Sequence, residues 1–296
     1  MKIHENVLPI EGSGRIIARH DSRIGSILAQ DGKLGARDID QVMELQRAEG
    51  WRFGEAALRL GLITTDDVRC AIAKQYDLPH LLPGNESISS ELVVAYEPFH
   101  PRAEELRALR TQLSIRWSNA GVQNHSLAIV SPGHGEGRSY VAANLAVVFS
   151  LLGERTLLID ADLRSPRLHR IFNIPDRVGL SAILSGRADR NMVQAVPEFA
   201  KLSVLPAGAP PPNPQELLSR PALGAFLQEM KAEFDVVLVD TSAARPYADS
   251  QCVAFRTGSA IVLARKDHTR IGDTRGVIRE LSDAGVRVIG TVLNAF

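Results

Sequence analysis

A glycine-rich stretch in the middle of the chain has the composition of a phosphate-binding loop. It separates two apolar runs and reads Ser131-Pro132-Gly133-His134-Gly135-Glu136-Gly137-Arg138-Ser139. Glycines let backbone N–H groups close around an anion, and the N-terminus of a following helix adds positive potential. In the pattern G-x-x-x-x-G-K-[ST], Gly137 and Ser139 fit, whereas Pro132 and Arg138 replace the first Gly and the Lys. Taken alone, the stretch fits a strand-to-helix turn that binds nothing equally well.

Three aspartates follow two other apolar runs. Asp160 and Asp162 come directly after Leu157 to Ile159, and Asp240 comes directly after Val237 to Val239. Open parallel sheets bind ligands at the carboxyl ends of their strands, so these side chains should approach the glycine-rich loop. Mg²⁺ takes oxygen ligands and keeps several waters. The sequence therefore predicts a magnesium and nucleotide site here, with solvated helix caps as the alternative.

The elements around these residues predict an α/β fold. From Leu127 onward, short apolar strand candidates alternate with helical stretches. Continuous apolar strands that alternate with helices are typical of a mostly parallel sheet covered by helices on both faces. The strand candidates are 127–130, 156–159, 202–205, 236–239, 260–263 and 286–293, and the helical stretches include 104–117, 140–152, 221–231 and 275–283.

The first third of the chain predicts a small all-α domain. Residues 23–46 and 52–75 are two copies of one unit at a constant offset of 29 residues, each with apolar residues at helical spacing and a glycine between its two helices. We therefore divide the chain into an N-terminal tail (1–19), a helical tandem-repeat domain (20–82), a polar linker (83–97) and the α/β domain (98–296).

The charge balance argues against one class of function. The 296 residues include 34 Lys and Arg and 34 Asp and Glu, so the formal net charge is zero. Binders of nucleic acid polymers or anionic membranes usually carry a basic excess, and we expect neither activity. The two distant cysteines fit a reducing compartment, and no apolar run is long enough to span a bilayer. We expect a cytoplasmic protein, peripheral to the inner membrane through a partner.

Several motifs together resemble the bacterial tyrosine kinases (BY-kinases). Asp160-x-Asp162-x-Arg164 resembles their second Walker A motif, and Val237 to Thr241 resembles their Walker B motif, with Ser242 at the usual Pro position. Glu104-x-x-Arg107-x-x-Arg110 resembles the helix through which such kinases form rings. The resemblance covers 98–296. The resemblance is strongest to the exopolysaccharide chain-length-determinant (EpsG-like) group, which shares the sequence Gly-Glu-Gly-Arg-Ser of residues 135–139.

This resemblance implies a P-loop NTPase fold with ATP and Mg²⁺ as cofactors. Arg138 would contact the β- and γ-phosphates, Asp162 with Asp240 would hold Mg²⁺ directly or through water, and Asp160 would be the base for a tyrosine hydroxyl or a water. The implied nucleotide-binding residues are Gly133, Gly135, Glu136, Gly137, Arg138, Ser139 and Tyr140. The implied magnesium ligands are Ser139, Asp162 and Asp240. The implied homo-oligomer interface is formed by Glu104, Arg107 and Arg110.

The implied function is a tyrosine kinase or ATPase that regulates exopolysaccharide chain length, polymerisation or export together with an integral-membrane, Wzz-like co-polymerase. Two departures bear on activity: Arg138 replaces Lys, and the four tyrosines form no cluster near the last residue. We therefore expect hydrolysis ahead of self-phosphorylation. A residue placed like Tyr247, in the loop after Asp240, is more often a structural or substrate-loop element than a phosphorylation site. The alternative is a weak or inactive nucleotide-binding adaptor of the export machinery. A MinD-type positioning ATPase is disfavoured because the loop lacks an early signature Lys.

The duplicated unit resembles the N-terminal domains of type II secretion ATPases, a subset of which (MshEN-like) binds cyclic di-GMP. The Arg, Gly, Gly and Gln positions of that pattern are met in both copies, whereas Ile24, Phe53 and Ala57 depart from Leu. The hypothesis is that the dinucleotide is bound by Arg23, Gly25, Gln46, Arg52, Gly54 and Gln75. A helical docking or oligomerising module that binds no ligand fits the residues equally well.

Overall fold

The computed structural model describes residues 24–75, 81, 87–118 and 125–295. The chain divides into two compact units, Met1–Asp77 and Leu78–Phe296. Within those described ranges, no helix is both long and apolar enough to cross a membrane.

The smaller unit is all-α, and its internal repeat is visible in the core. Its helices are α1 (Ile24–Gln30), α2 (Ala36–Glu49), α3 (Phe53–Arg59) and α4 (Thr65–Gln75). Leu28 of α1 and Ala57 of α3 occupy matching positions of the two copies, as do Val42 of α2 and Ala71 of α4, and all four are buried. The first helix of each copy is followed by a glycine at positive φ, Gly32 or Gly61. Because glycine adopts that conformation without steric cost, each copy turns sharply into its second helix.

The larger unit is built on a seven-stranded sheet with the order β3-β4-β2-β5-β1-β6-β7. All neighbouring strands are parallel except β3 and β4. The strands are β1 (His125–Val130), β2 (Thr156–Asp160), β3 (Gln194–Ala195), β4 (Leu202–Leu205), β5 (Val236–Asp240), β6 (Ser259–Arg265) and β7 (Arg287–Asn294). The helices are α5 (Val93–Tyr96), α6 (Pro101–Ser118), α7 (Arg138–Leu151), α8 (Leu168–Ile171), α9 (Leu180–Leu184), α10 (Pro214–Ser219), α11 (Pro221–Glu233), α12 (Asp249–Thr257) and α13 (Ile271–Asp283).

Alternate residues of the central strands face two separate apolar cores, which confirms the predicted α/β fold with a mostly parallel, covered sheet. On β1, Leu127 and Ile129 belong to the core that α6 and α7 cover. Ala128 and Val130 belong to the other core, which is covered by α11, α12 and α13. Because side chains of a strand alternate between its faces, strands with an apolar residue at every position require cover on both sides.

The sheet brings distant parts of the sequence to one edge. β5 lies between β1 and β2, and Asp240 is paired in register with Asp160 on one side and with Ile129 on the other. The glycine-rich loop leaves the end of β1 and enters α7 at Arg138. The carboxyl ends of these three strands therefore surround a single crevice.

Two elements differ from the sequence prediction. Residues 87–97, which fall in the predicted linker, instead form part of the larger unit's core, where Leu92, Val94 and Ala95 are fully buried. Glu91 and Val94 are joined to α7 by Asn144, whose amide donates to the Glu91 carbonyl (2.9 Å) and accepts from the Val94 N–H (3.3 Å). The short antiparallel strand β3 has two residues and no apolar alternation, so its sequence carries no strand signal.

We expect Asn144→Ala to lower the free energy of unfolding by about 2–4 kcal/mol, because it leaves one buried and two partly buried backbone groups without their partner. Chemical denaturation of the full chain measures this. Ser150→Ala is the matched control on the same helix, because the one hydrogen bond that its buried hydroxyl makes to the described residues goes to the Val147 carbonyl one turn earlier. Its cost should stay below about 1 kcal/mol, and equal costs for the two variants would contradict the role given to Asn144.

Candidate active site

The glycine-rich loop has the backbone of an anion cradle. Gly135 and Gly137 adopt φ angles of +69° and +93°, which side chains other than glycine rarely tolerate. Gly137 is also the residue that precedes the first turn of α7, a 14-residue helix. The loop and the positive end of the helix dipole therefore lie at the same point, where a phosphate group is favoured.

Arg138 is folded onto the loop itself. Its side chain is buried, and its Nε donates to the Thr241 carbonyl at 2.6 Å. Its Nη1 donates to the Gly133 carbonyl at 2.6 Å and to the Ser131 hydroxyl. The guanidinium thus links the phosphate loop to the end of β5. The residue expected to contact phosphate thus supports the loop.

Glu136 also serves the loop rather than a ligand. Its buried carboxylate accepts the Gly133 N–H at 2.8 Å and the Thr269 hydroxyl. The backbone of the loop is held from the same side, because Asn294 donates to the Glu136 carbonyl and Arg265 donates to the Gly135 carbonyl. The Glu136 side chain therefore supports the loop, and the place of Glu136 among the nucleotide-binding residues stays a prediction. Thr269 follows β6 and Asn294 ends β7, and both hold the loop through Glu136. They are far from the loop in the sequence, so the loop motif does not predict these contacts.

The three aspartates lie close enough to affect one another. Asp160 accepts the N–H groups of Arg167 (3.1 Å) and Leu168 (3.0 Å) on one oxygen and that of Asp162 (3.2 Å) on the other. Burial, reinforced by the charge of Asp240, raises the pKa of Asp160 well above its usual value. Burial also raises the pKa of Asp240 to about 6, although the nearby Arg138 guanidinium opposes the shift.

The Asp240 carboxylate fits a site for a bound cation. Both of its oxygens are fully buried, and neither accepts a hydrogen bond in the part of the chain that the structure describes. The Ser139 hydroxyl lies near enough to lower the pKa of Asp240 without completing a hydrogen bond by distance and angle. A buried, unpartnered carboxylate is costly unless a cation or proton neutralises it.

Protein side chains alone do not enclose a metal here. Among the described residues, no group of three or more carboxylate, imidazole or thiolate side chains is arranged to hold a metal ion. This suits Mg²⁺, which binds through one or two carboxylates and takes its other ligands from phosphates and water. Ser139, Asp162 and Asp240 are the residues that would hold it.

Asp249 is a site residue that the sequence analysis missed. It is buried at the start of α12 and binds Arg164 through two hydrogen bonds, at 2.6 and 3.1 Å. The Arg164 N–H donates to Asp162 (3.2 Å), and its guanidinium lies 3.6 Å from the centre of the Tyr247 ring. The Arg164 guanidinium therefore forms a salt bridge with Asp249. An acid at a helix start is common, so the sequence alone does not single out Asp249.

A cavity of about 510 Å³ opens beside the loop and is lined by Tyr140, Arg102, Glu105 and Asn294. Tyr140 follows Ser139 directly, so the cavity begins one residue from the phosphate cradle. It is large enough for a planar heterocycle, and its lining mixes apolar surface with a few polar groups, as small-molecule sites do.

The residues predicted to form an oligomer interface lie on α6. Glu104 is exposed and pairs with Arg107 at 2.9 Å. Arg107 also donates to the Pro98 carbonyl (2.7 Å), and the half-buried Arg110 lies 3.5 Å from the Val148 carbonyl. Within one chain both arginines thus hold the helix in place, which leaves Glu104 as the member of the motif most accessible to a second copy.

In the smaller unit, three of the six residues predicted to bind cyclic di-GMP line one cavity of about 730 Å³, namely Gly25, Gln46 and Gln75. Arg52 and Gly54 are not among its lining residues. Gly54 instead faces Val68, which a Cβ atom at this position would meet at 3.2 Å. Arg23 lies outside the described residues.

The sheet order, the loop and the buried acids define the larger unit as a P-loop nucleotide-binding domain. A comparison with models of known protein families finds no match. The chain is 36% identical over 200 residues to the putative tyrosine-protein kinase EpsB of Ralstonia nicotianae, which covers 67% of this chain and 26% of EpsB. It is 32% identical over 203 residues to the tyrosine-protein kinase YwqD of Bacillus subtilis, which covers 69% of this chain and 85% of YwqD.

Solved structures agree. The kinase domain of the Escherichia coli tyrosine kinase ETK matches with a TM-score of 0.67 and 28% identity, covering 72% of this chain and 82% of that domain. MinD from Pyrococcus horikoshii in complex with Mg-ADP matches with a TM-score of 0.51 and 25% identity, covering 58% of this chain and 70% of MinD. The chain belongs to the bacterial tyrosine kinase family. It spans about a quarter of the length of the two Ralstonia EpsB proteins that it matches.

Asp240 provides a test of the site that needs no substrate. Its raised pKa means that its protonated form stabilises the fold below about pH 4, and that this contribution is lost as the pH rises through about 6. We expect Asp240→Asn to raise the free energy of unfolding of the metal-free protein at pH 8 by roughly 2–3 kcal/mol, and to remove the stabilisation that Mg²⁺ and nucleotide give the wild type.

Denaturant unfolding at pH 5 and pH 8, with and without Mg-ADP, measures both effects. Asp235→Asn is the matched control near the opposite end of β5, where pairing with Arg155 lowers the pKa of the carboxyl. That variant should lose a little stability at pH 8 and keep its response to Mg-ADP. A destabilised Asp240→Asn protein would contradict the cation site.

Proposed function

We propose that this chain is a Mg-ATP-dependent tyrosine kinase and ATPase that regulates the chain length, polymerisation or export of an exopolysaccharide. The observation that carries the proposal is the buried carboxylate of Asp240, unpartnered and in register with Asp160, at the edge of the sheet where the phosphate loop begins. The printed names of EpsB, YwqD and ETK as tyrosine kinases support the reaction class.

The chain's own residues divide the work of phosphoryl transfer. The backbone of Gly133, Gly135 and Gly137 cradles the phosphates, and Arg138 contributes the positive charge that Lys supplies in other loops. Mg²⁺, held by Ser139, Asp162 and Asp240, neutralises charge on the phosphate oxygens when bound. Asp160 accepts the proton of the attacking hydroxyl, and its raised pKa suits a base that works near neutral pH.

Arg138 adds a step that a Lys would not require. Its guanidinium holds the Gly133 and Thr241 carbonyls, so it must share or release these partners when phosphate enters. Because a guanidinium carries five N–H donors, it can keep one carbonyl and still face an oxygen of the ligand. We expect Arg138, in place of the usual Lys, to lower the rate of phosphoryl transfer more than the affinity for ATP.

The nucleobase belongs in the cavity that Tyr140 lines beside the loop. The exposed Glu104 and the two arginines of its motif on α6 form the contact between copies of the chain in a nucleotide-dependent homo-oligomer. The partner is an integral-membrane, Wzz-like co-polymerase that completes or activates the site and holds this cytoplasmic protein at the inner membrane. The rival proposal is a nucleotide-binding adaptor of the same machinery that turns over little or no ATP.

Transfer of labelled phosphate separates the two. With Mg-ATP and radiolabelled γ-phosphate, the wild type should release phosphate or label tyrosine, and Asp160→Asn should lower the rate at least about a hundredfold while binding ATP normally. Asp235→Asn serves as a control for loss of a strand-flanking aspartate and should keep the wild-type rate. Equal, background-level turnover by the wild type and Asp160→Asn would favour the adaptor.

We further propose that the smaller unit binds cyclic di-GMP and that this binding modulates the kinase unit. The supporting observation is the 730 Å³ cavity, which brings Gly25, Gln46 and Gln75 from the two copies of the repeat to one place beside the Phe53 ring. Aromatic rings and amides suit a guanine base, which offers a flat face and several hydrogen-bonding groups.

Calorimetry of the full chain with cyclic di-GMP tests this. Gln75→Ala should weaken binding by at least about tenfold, because each polar contact with a base contributes on the order of 1–3 kcal/mol. Gln75 is preferred to Gln46, whose amide donates to the Trp51 carbonyl and supports the fold. Gln41→Ala, on an exposed position of α2, is the control and should bind like the wild type. No heat from folded wild-type protein at high concentration would end the hypothesis.

A further inference from the structure

The described tyrosines differ in how accessible their hydroxyl groups are. The Tyr96 hydroxyl donates to the Ile88 carbonyl at 2.6 Å, and the Tyr140 hydroxyl is buried near the Arg102 side chain. Tyr247 is 38% exposed and lies in the loop between β5 and α12. Tyr76 lies outside the described residues.

Tyr247 is held at the rim of the candidate active site by its ring. The Arg164 guanidinium lies 3.6 Å from the ring centre, a cation–π contact, and the N–H of the same arginine donates to Asp162. In the described chain, no hydrogen bond engages the Tyr247 hydroxyl. Arg164 thus contacts both the Tyr247 ring and the proposed magnesium ligand Asp162, while Tyr247 as a whole stays partly exposed.

Two arginines lie close to Tyr247 in space or in sequence, and each of them is also paired with an aspartate. Arg164 is on its ring, and Arg245, two residues earlier, has a side chain that is 60% exposed and bonds Asp273 at 2.6 Å. A phosphate group on Tyr247 would add about −1.5 to −2 charges and three acceptor oxygens. Guanidinium groups bind such oxygens through paired N–H donors.

The loop that carries Tyr247 is not free to turn into its own site. The Ala244 N–H donates to the Ser131 carbonyl (3.0 Å) and the Arg245 N–H to the Pro132 carbonyl (3.1 Å), so the loop is fastened to the start of the phosphate loop. Asp160 is fully buried beneath this edge of the sheet. A partly exposed tyrosine on an anchored loop is accessible to another molecule.

We propose that Tyr247 is a phosphorylation site, and that its hydroxyl accepts the γ-phosphoryl group of ATP bound to a second copy of this chain. The proposal rests on the proposed function. In the step, a bond forms between the Tyr247 oxygen and the γ-phosphorus while the bond from that phosphorus to the bridging oxygen of ADP breaks. The phenolic proton passes to Asp160 of the second copy, and ADP leaves.

Two variants of the full chain separate donor from acceptor. Tyr247→Phe keeps the proposed kinase site and the ring on which Arg164 rests, so its ATP hydrolysis should stay within about twofold of the wild type. Asp160→Asn lacks the proposed base but keeps Tyr247. The two are mixed with Mg-ATP, with Asp160→Asn uniformly ¹⁵N-labelled, and phosphopeptides are mapped by mass spectrometry. Tyr96→Phe is the matched control, because it also removes one hydroxyl from one tyrosine.

We expect phosphate on Tyr247 of the ¹⁵N-labelled chain only when Tyr247→Phe is present. Alone, the wild type and Tyr96→Phe should carry phosphate on Tyr247, and Tyr247→Phe should fall to background. Phosphate on another tyrosine, phosphate on Tyr247 in the wild type but not in the mixture, or ATP hydrolysis with no phosphate on Tyr247 would each overturn this inference alone. A wild type that neither hydrolyses ATP nor labels any tyrosine would overturn the proposed function and this inference with it.

Discussion

The buried negative charge at the carboxyl edge of the sheet is the constraint on which the rest of the larger unit depends. Asp160 and Asp240 are neighbours in register and both are fully removed from solvent. Two carboxylates in such a place repel each other and lose their hydration, so one or both must be protonated, hydrogen-bonded or paired with a cation. Backbone N–H groups donate to Asp160, whereas among the described residues no hydrogen bond with good geometry reaches the Asp240 oxygens. The proposed roles use this asymmetry, with Asp240 for a cation and Asp160 for proton transfer.

The phosphate loop is shaped by a related need. An anion cradle concentrates N–H groups, and without a ligand those groups and the nearby carbonyls require partners. Here the loop's own charged side chains provide them: Arg138 binds carbonyls, and Glu136 binds an N–H. Thr269 and Asn294 extend these contacts to the ends of β6 and β7. Arg138 and Glu136, which the sequence motif predicts as nucleotide-binding residues, thus also hold the loop in its shape.

Much of this fold could be predicted from the sequence, because its strong signals are local. Apolar runs such as 127–130 and 236–239 are strands at the expected places, and the repeat at an offset of 29 residues places Leu28 and Ala57, or Val42 and Ala71, at matching core positions. The segment 87–97 was not predictable, since its polar residues conceal Leu92 and Val94, and its conformation depends on Asn144 some 50 residues away. The side-chain partners across the sheet edge could not be predicted either, because they are equally far apart in the sequence.

Arg164 illustrates how far a motif can be taken. The pattern Asp160-x-Asp162-x-Arg164 indicates an arginine near two acids, and either acid or a phosphate would be a reasonable partner for it. The structure pairs it with Asp249, 85 residues later, which is almost fully buried. Since a buried carboxylate without a partner is costly, Asp249 fixes Arg164, whose backbone N–H donates to the Asp162 carboxylate and whose guanidinium holds the ring of Tyr247. One ion pair therefore couples α12, the loop after β5 and the loop after β2, which makes the geometry of the candidate metal site depend on Asp249, a residue outside the proposed set of magnesium and nucleotide ligands.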